Sequence, residues 1–254
     1  MSASTGGRLV LWNIDHTLVE SGKVTREAYA DAFETITGRP LVHVAPAAGR
    51  TDTEVIFETL ALNDVELNEH YLPEFIEALE SAVAARASQL AEEGQVLAGA
   101  ERALVALDSS EGVVQSVLTG NVRPNALAKL SAFGLDRYID VEIGGYGSEN
   151  FPKGTLVQVA RSRATEKYGG DFDESTTVLV ADSVRDVNAA EIGGCPIIAV
   201  ASGRSTEAEL QAEGADVVLS DLDDTATVVE SVRRLTTPSA RRDIPEQHVE
   251  QQAE

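Results

Sequence analysis

The chain has 254 residues, 43% of them hydrophobic and 24% charged, and a formal net charge of −22. These proportions suit a folded protein built as one large α/β domain or as one domain carrying an insertion, and they exclude wholesale disorder. So strong an excess of acid disfavours a nucleic-acid backbone as partner. No run approaches the roughly 20 apolar residues of a membrane span, and the start through Gly7 lacks a charged segment followed by an apolar one, so a cytoplasmic protein is expected. Cys195 is the only cysteine, which rules out an intrachain disulfide and a site of clustered thiolates. Any metal must then be held by oxygen.

Taken in chain order, apolar runs rich in β-branched residues predict short buried strands at Leu9–Ile14, Val113–Leu118, Tyr138–Ile143, Thr177–Val180, Pro196–Val200 and Val217–Leu219. Between most of them lie helical segments: Pro124–Phe133 closed by Gly134, Thr155–Lys167 closed by Gly169, and Ser205–Glu213 closed by Gly214. This alternation predicts a Rossmann-like parallel sheet with helices on both faces.

The first interval breaks the rhythm, because a single crossover helix would not fill it. After Thr25, the residues Ala28, Tyr29, Ala32, Phe33 and Ile36 fall at helical spacing until Gly38 and Pro40 stop them. A second helix is predicted over Thr53–Ala61. A third, long one starts at Pro73 and carries Phe75, Ile76, Leu79 and Val83 along one face as far as Gly94. The expected organisation is therefore an α/β core of residues 1–18 and 97–235, a helical insertion of residues 19–96, and a polar flexible tail of residues 236–254.

Ligands of open α/β sheets bind beyond the carboxyl ends of the strands, so the polar residues found there are the candidates for chemistry. The first strand runs into Asn13, Asp15 and Thr17, the second into Thr119, Gly120 and Asn121, and the fourth into Asp182 and Asp186; Lys153 opens the helix after the third. Oxygens of Asp182, Asp186 and the first loop would suit Mg²⁺. Thr119 and the N–H groups after it could hold phosphate oxygens, and the Lys153 ammonium could offset charge on a phosphoryl group.

These four segments, in this order, resemble the four motifs of haloacid dehalogenase superfamily phosphatases. In that family the first loop reads Asp-x-Asp-x-Thr/Val, the second strand ends in Ser or Thr, a Lys or Arg follows, and an acidic pair completes the metal site. Asp15, Thr17, Thr119, Lys153, Asp182 and Asp186 match; the first acidic position does not, because Asn13 stands there. The resemblance implies a Mg²⁺-dependent phosphatase of small phosphorylated metabolites, with residues 19–96 as a cap over the site, as in the phosphoglycolate-phosphatase-like branch. It also implies that the cap loop carrying Arg50 reaches the substrate.

In the family mechanism the first carboxylate attacks phosphorus and the second serves as acid and then base. The Asn13 amide is a poor nucleophile, although its oxygen can still coordinate Mg²⁺. Binding is expected to survive where turnover is impaired. Two other readings stand beside the phosphatase: a non-catalytic module that binds a phosphorylated ligand, supported by Asn13 itself, and a dehalogenase of the same fold, opposed by the acidic pair Asp182 and Asp186.

Overall fold

Leu9 and Leu11 alternate with Val10 and Trp12 along strand β1 (Arg8–Trp12); all four are fully buried, and the two pairs belong to different hydrophobic clusters. A strand apolar on both faces needs helices on both. The computed structural model of the protein describes residues 7–66, 71–149 and 152–238 and shows that arrangement.

After β1 come the short strand β2 (Val19–Glu20), the helices α1 (Val24–Thr37), α2 (Asp52–Leu62), α3 (Tyr71–Ala84) and α4 (Ala87–Glu93), and strand β3 (Gln95–Val96). The chain then alternates through α5 (Ala100–Asp108), β4 (Val113–Thr119), α6 (Arg123–Ala132), β5 (Gly145–Tyr146), α7 (Leu156–Tyr168), β6 (Thr177–Ala181), α8 (Val184–Gly193), β7 (Ile197–Val200), α9 (Glu207–Glu213), β8 (Val217–Leu219) and α10 (Thr225–Leu235). The main sheet has the order β5-β4-β1-β6-β7-β8, with every pairing parallel. This is an α/β fold with a Rossmann-like core. Helices α5, α6 and α10 cover one face, while α7, α8 and α9 cover the other. Strand order reverses between β1 and β6, which places the crevice of the switch point at their carboxyl ends.

Helices α1 to α4 lie between β1 and β4 and bury their own cluster, with Phe33, Ile56, Leu60, Phe75 and Leu90 fully inside. Ala128 and Ala132 of α6 pack against this cluster, so the insertion rests on the helix that follows β4. The chain leaves the core through β2 and returns through β3, and these pair antiparallel, Val19 with Val96 and Glu20 with Gln95.

Three expectations are corrected. The strand predicted at Tyr138–Ile143 is absent: residues Asp136–Tyr138 form a 3-10 turn, and the segment after it runs irregularly to β5, which pairs with Leu118 and Thr119 only at Gly145 and Tyr146. Ile139 and Ile143 are apolar because they are buried beside the sheet edge, and burial without pairing mimics a strand in sequence. The long helix from Pro73 to Gly94 is broken at residues 85 and 86, where Arg86 turns its guanidinium to Asp31 and to the Ala82 carbonyl. Thr236 is buried and Thr237 N–H donates to the Ser175 carbonyl at 2.7 Å, so the start of the expected tail is fastened to the core. The tail from residue 239 onward, and residues 1–6, which were expected to carry no leader, lie outside the described residues. No helix among the described residues is long and apolar enough to cross a membrane.

Candidate active site

β1, β4 and β6 stop at Trp12, Thr119 and Ala181, so Asn13, Gly120 and Asp182 begin adjacent loops at one edge of the sheet. The first loop turns through His16, held at φ 61 with its carbonyl accepting from Ser202 Oγ. The third loop enters α8 through a capping box: Ser183 Oγ accepts from the Asp186 N–H, and the Asp186 carboxylate accepts from the Ser183 N–H and hydroxyl. This cap fixes Asp186, which is fully buried.

Two hydrogen-bonded clusters result. In the first, Lys153 Nζ donates to Asn13 Oδ1 at 3.0 Å and to Asp186 Oδ1 at 2.6 Å. Asn13 Nδ2 donates to Asp182 Oδ1 at 2.9 Å and to the Asp15 carbonyl at 2.9 Å, and Thr17 Oγ1 donates to the same Asp182 oxygen at 3.0 Å. The partners dictate the orientation of the amide, because an ammonium can only donate and a carboxylate accepts. Burial and the neighbouring Asp186 push the Asp182 carboxyl up to about 6, against the opposing pull of Lys153.

The second cluster surrounds Asp15. Lys129 Nζ donates to both of its carboxylate oxygens, at 2.7 and 2.8 Å, Asn121 Nδ2 to one at 2.7 Å and Ser21 Oγ to the other at 3.0 Å. Burial would raise this carboxyl, but Lys129, Asn121 and Ser21 outweigh it and hold it at about 2. Lys129 also donates to Asn121 Oδ1 at 2.8 Å, and Asn121 Nδ2 reaches Thr119 Oγ1 at 2.8 Å.

The insertion closes over these loops. Asp52, the first residue of α2, accepts from Tyr29 OH at 2.7 Å and from the Val122 N–H at 2.8 Å, and its own N–H donates to the Gly120 carbonyl at 2.7 Å. Gly120 presses so closely on the Arg50 carbonyl that a Cβ there would overlap it. Gly49, at φ +66, is held against Ser183 and Arg185 of the core, and a Cβ would lie 2.5 Å from Ser183 Oγ. Between insertion and core lies a cavity of about 510 Å³, whose wall includes Asn13, Asp15, Arg50, Gly120, Asn121 and Asp182.

Six sequence-predicted residues thus share one cavity, while Thr119, Lys153 and Asp186 stand behind its wall and connect through hydrogen bonds. Arg50 lines the cavity, yet its terminal guanidinium nitrogens are turned to the Glu58 carboxylate and the Pro46 and Glu54 carbonyls; Nε has no partner among the described residues. Lys129, Ser21, Tyr29 and Asp52 were missed in the sequence. A signal existed for Lys129, which lies with Asn125, Ala126 and Leu130 on the buried stripe of α6, where a lysine requires a carboxylate.

The donor set does not suit Mg²⁺ as it stands. Asn13 Oδ1 already accepts from Lys153, and its N–H groups point at the Asp182 oxygen and the Asp15 carbonyl, bonds that a cation in this loop would have to displace. No cluster of three or more His, Cys, Asp or Glu side chains able to hold a metal occurs among the described residues.

The model of the haloacid dehalogenase-like hydrolase family matches residues 10–191. The chain belongs to that family. Similar solved structures include a hydrolase from Pseudomonas syringae (19% identity, TM-score 0.64, covering 89% of this chain and 98% of that one) and a predicted phosphatase from Clostridium acetobutylicum (20%, 0.64, 89% and 100%). A predicted phosphoglycolate phosphatase from Haemophilus somnus is similar at 17% identity and TM-score 0.59, covering 89% of this chain and 100% of that one. No curated protein matches the sequence.

Proposed function

We propose that this chain is a phosphatase-type member of the family that binds small phosphorylated metabolites and has lost efficient turnover at Asn13. The observation that carries the reading is the Lys153 ammonium bridging Asn13 and Asp186 behind the wall of the enclosed cavity. It sets a phosphate-sized positive charge beside the position from which a carboxylate would attack. In this reading Asp15 handles the proton, Thr119, Gly120 and Asn121 hold phosphate oxygens, Arg50 contributes its free Nε, and residues 19–96 act as a cap that selects substrate.

The family generally uses Mg²⁺. In this chain a cation at Asn13 would share the amide oxygen with Lys153 and displace the amide N–H bonds to Asp182 and Asp15, whereas a carboxylate there would join Asp182 and Asp186 and leave a second oxygen for Lys153. The bonds made by the amide favour a second reading, a binding module, over the dehalogenase. A paired assay against a panel of phosphate esters decides. N13D is expected to gain activity by several orders of magnitude and, on rapid acid quench, to carry a covalent phosphoryl group that the parent lacks. A parent that turns over as fast as N13D, with deamidation excluded by peptide mass analysis, overturns the role of Asn13. An inactive N13D that still binds Mg²⁺ leaves the binding module as the function.

A further inference from the structure

In the loop of residues 120–122, which follows β4, almost every backbone group is already committed. The Gly120 carbonyl accepts from the Asp52 N–H at 2.7 Å, the Asn121 carbonyl from the Gly147 N–H at 2.9 Å, and the Val122 carbonyl from the Ala126 N–H at 3.1 Å. The Asn121 N–H turns back to Thr119 Oγ1 at 3.1 Å, and the Val122 N–H donates to Asp52 Oδ2 at 2.8 Å. Of this loop's backbone, only the Gly120 N–H has no hydrogen bond among the described residues. Asp52 thus grips the loop on either side of Asn121. The insertion sets it for that task. Thr51 and Glu54 form the capping box that starts α2, and the Asp52 N–H, which has no acceptor in its own helix, is left to reach Gly120. Tyr29 OH of α1 holds the other carboxylate oxygen at 2.7 Å. Thr53 Oγ1 donates to the Gly147 carbonyl at 3.1 Å, and Gly147 packs so closely that a Cβ would lie 1.9 Å from the Gly120 carbonyl oxygen.

We propose that Asp52 is a positioning residue for phosphate: the start of α2 is a fixed strut of the phosphate loop, engaged in the free chain, rather than part of a lid that meets the loop only when substrate arrives. The proposal rests on the phosphate-ester reading above. A loop whose peptide planes are fixed beforehand loses little freedom when an anion binds, and its donors need no reorganisation. The two oxygens of a carboxylate match the two donors that Asp52 faces, one N–H and one O–H. An asparagine can keep both contacts, its oxygen on Val122 and its N–H on the Tyr29 hydroxyl. An alanine leaves the N–H of the buried Val122 without a partner.

Hydrogen exchange of the full chain, with calorimetry using inorganic phosphate in the presence of Mg²⁺, tests it. The Val122 amide is expected to exchange slowly in the free parent and in D52N, and fast in D52A. D52A is expected to bind phosphate about tenfold more weakly than the parent, as loss of a hydrogen bond to a charged group implies, and D52N to recover most of that affinity. Loss of fold alone would lower the number of sites in the titration and leave their affinity unchanged. Y29F, which keeps the carboxylate and removes its tie to α1, is expected to weaken phosphate by about threefold and decides the matter if D52A does not fold. Parent-like affinity in the folded variants overturns the positioning role. A parent that binds phosphate while its Val122 amide exchanges freely overturns the strut alone, and a parent that binds no phosphate overturns the phosphate reading and the proposal together.

Discussion

Replacing Asn13 by aspartate should make the cation-free protein less stable, although the two side chains have the same shape. Asn13 Nδ2 donates to Asp182 Oδ1 at 2.9 Å and to the Asp15 carbonyl at 2.9 Å. N13D turns that donor into a second acceptor facing both. Two carboxylate oxygens at this separation repel by about 6 kcal/mol at an effective dielectric constant of 20, and the two lost hydrogen bonds add about 1 kcal/mol each. The pair can instead retain a proton, which costs about 1.4 kcal/mol for each pH unit above an ordinary carboxyl value. The penalty is therefore expected to reach about 6 kcal/mol near pH 8 and to shrink to about 3 kcal/mol near pH 6. Urea unfolding of parent and N13D at both pH values measures it, and a second pair of curves with Mg²⁺ tests the remedy. A cation at a hundred times its dissociation constant would return about 2.7 kcal/mol to N13D, and the parent should gain far less. N13D as stable as the parent at pH 8 without cation, or equal Mg²⁺ stabilisation of both, would refute the amide orientation and the competition for its oxygen.

The remaining predictions follow from the same contacts. K129M leaves the half-buried Asp15 without its ammonium and should cost about 1–3 kcal/mol, less than breaking a fully buried pair, with much of the loss recovered by D15N/K129M; a single variant as stable as the parent in urea would show that the ion pair does not support the fold. G49A should weaken ligand binding more than it lowers stability, because a Cβ would push the loop from Ser183 and Arg185 at a residue with positive φ; unchanged affinity by calorimetry would show that this contact is not needed for closure. The Asp182 carboxyl sits at about 6 in the folded protein, above its unfolded value, so its contribution to stability is present below about pH 4 and is lost as pH rises through 6. By itself this removes about 3 kcal/mol across that window, and D182N should flatten the pH dependence of unfolding there; a parallel pair of curves would contradict the shift.

The core was legible in the sequence because both faces of each central strand are buried, which forces continuous apolar runs, and because strand ends carry polar residues for which a buried core has no use. Asn13, Thr119 and Asp182 could be found that way. The segment before β5 could not, since Ile139 and Ile143 satisfy the apolar pattern while the backbone makes few ladder bonds. Nor could β2 and β3, which are two residues long and exist only because their partners meet. The Asp15 cluster was hidden for a different reason. Its members, Ser21, Asn121 and Lys129, come from three segments that no local pattern joins, and a lysine on a helix reads as solvated until its stripe is known to face inward. Arg50 lines the cavity as its position suggested, and only the structure could show that its guanidinium is turned to Glu58 and to the Pro46 and Glu54 carbonyls.

The placement of the insertion has a consequence for how the chain folds. Arg8 lies beside Val113 and Leu9 beside Thr177, so the central strand waits for partners about a hundred or more residues downstream, and contacts that distant slow folding because the intervening loop must be closed first. Helices α1 to α4 shorten that wait. They bury Phe33, Phe75 and Leu90 among themselves, and the β2–β3 ribbon brings Val19 and Val96 into register. Once that unit has collapsed, the loop between β1 and β4 is effectively the short stretch through α5, and the first pairing of the sheet becomes a local event.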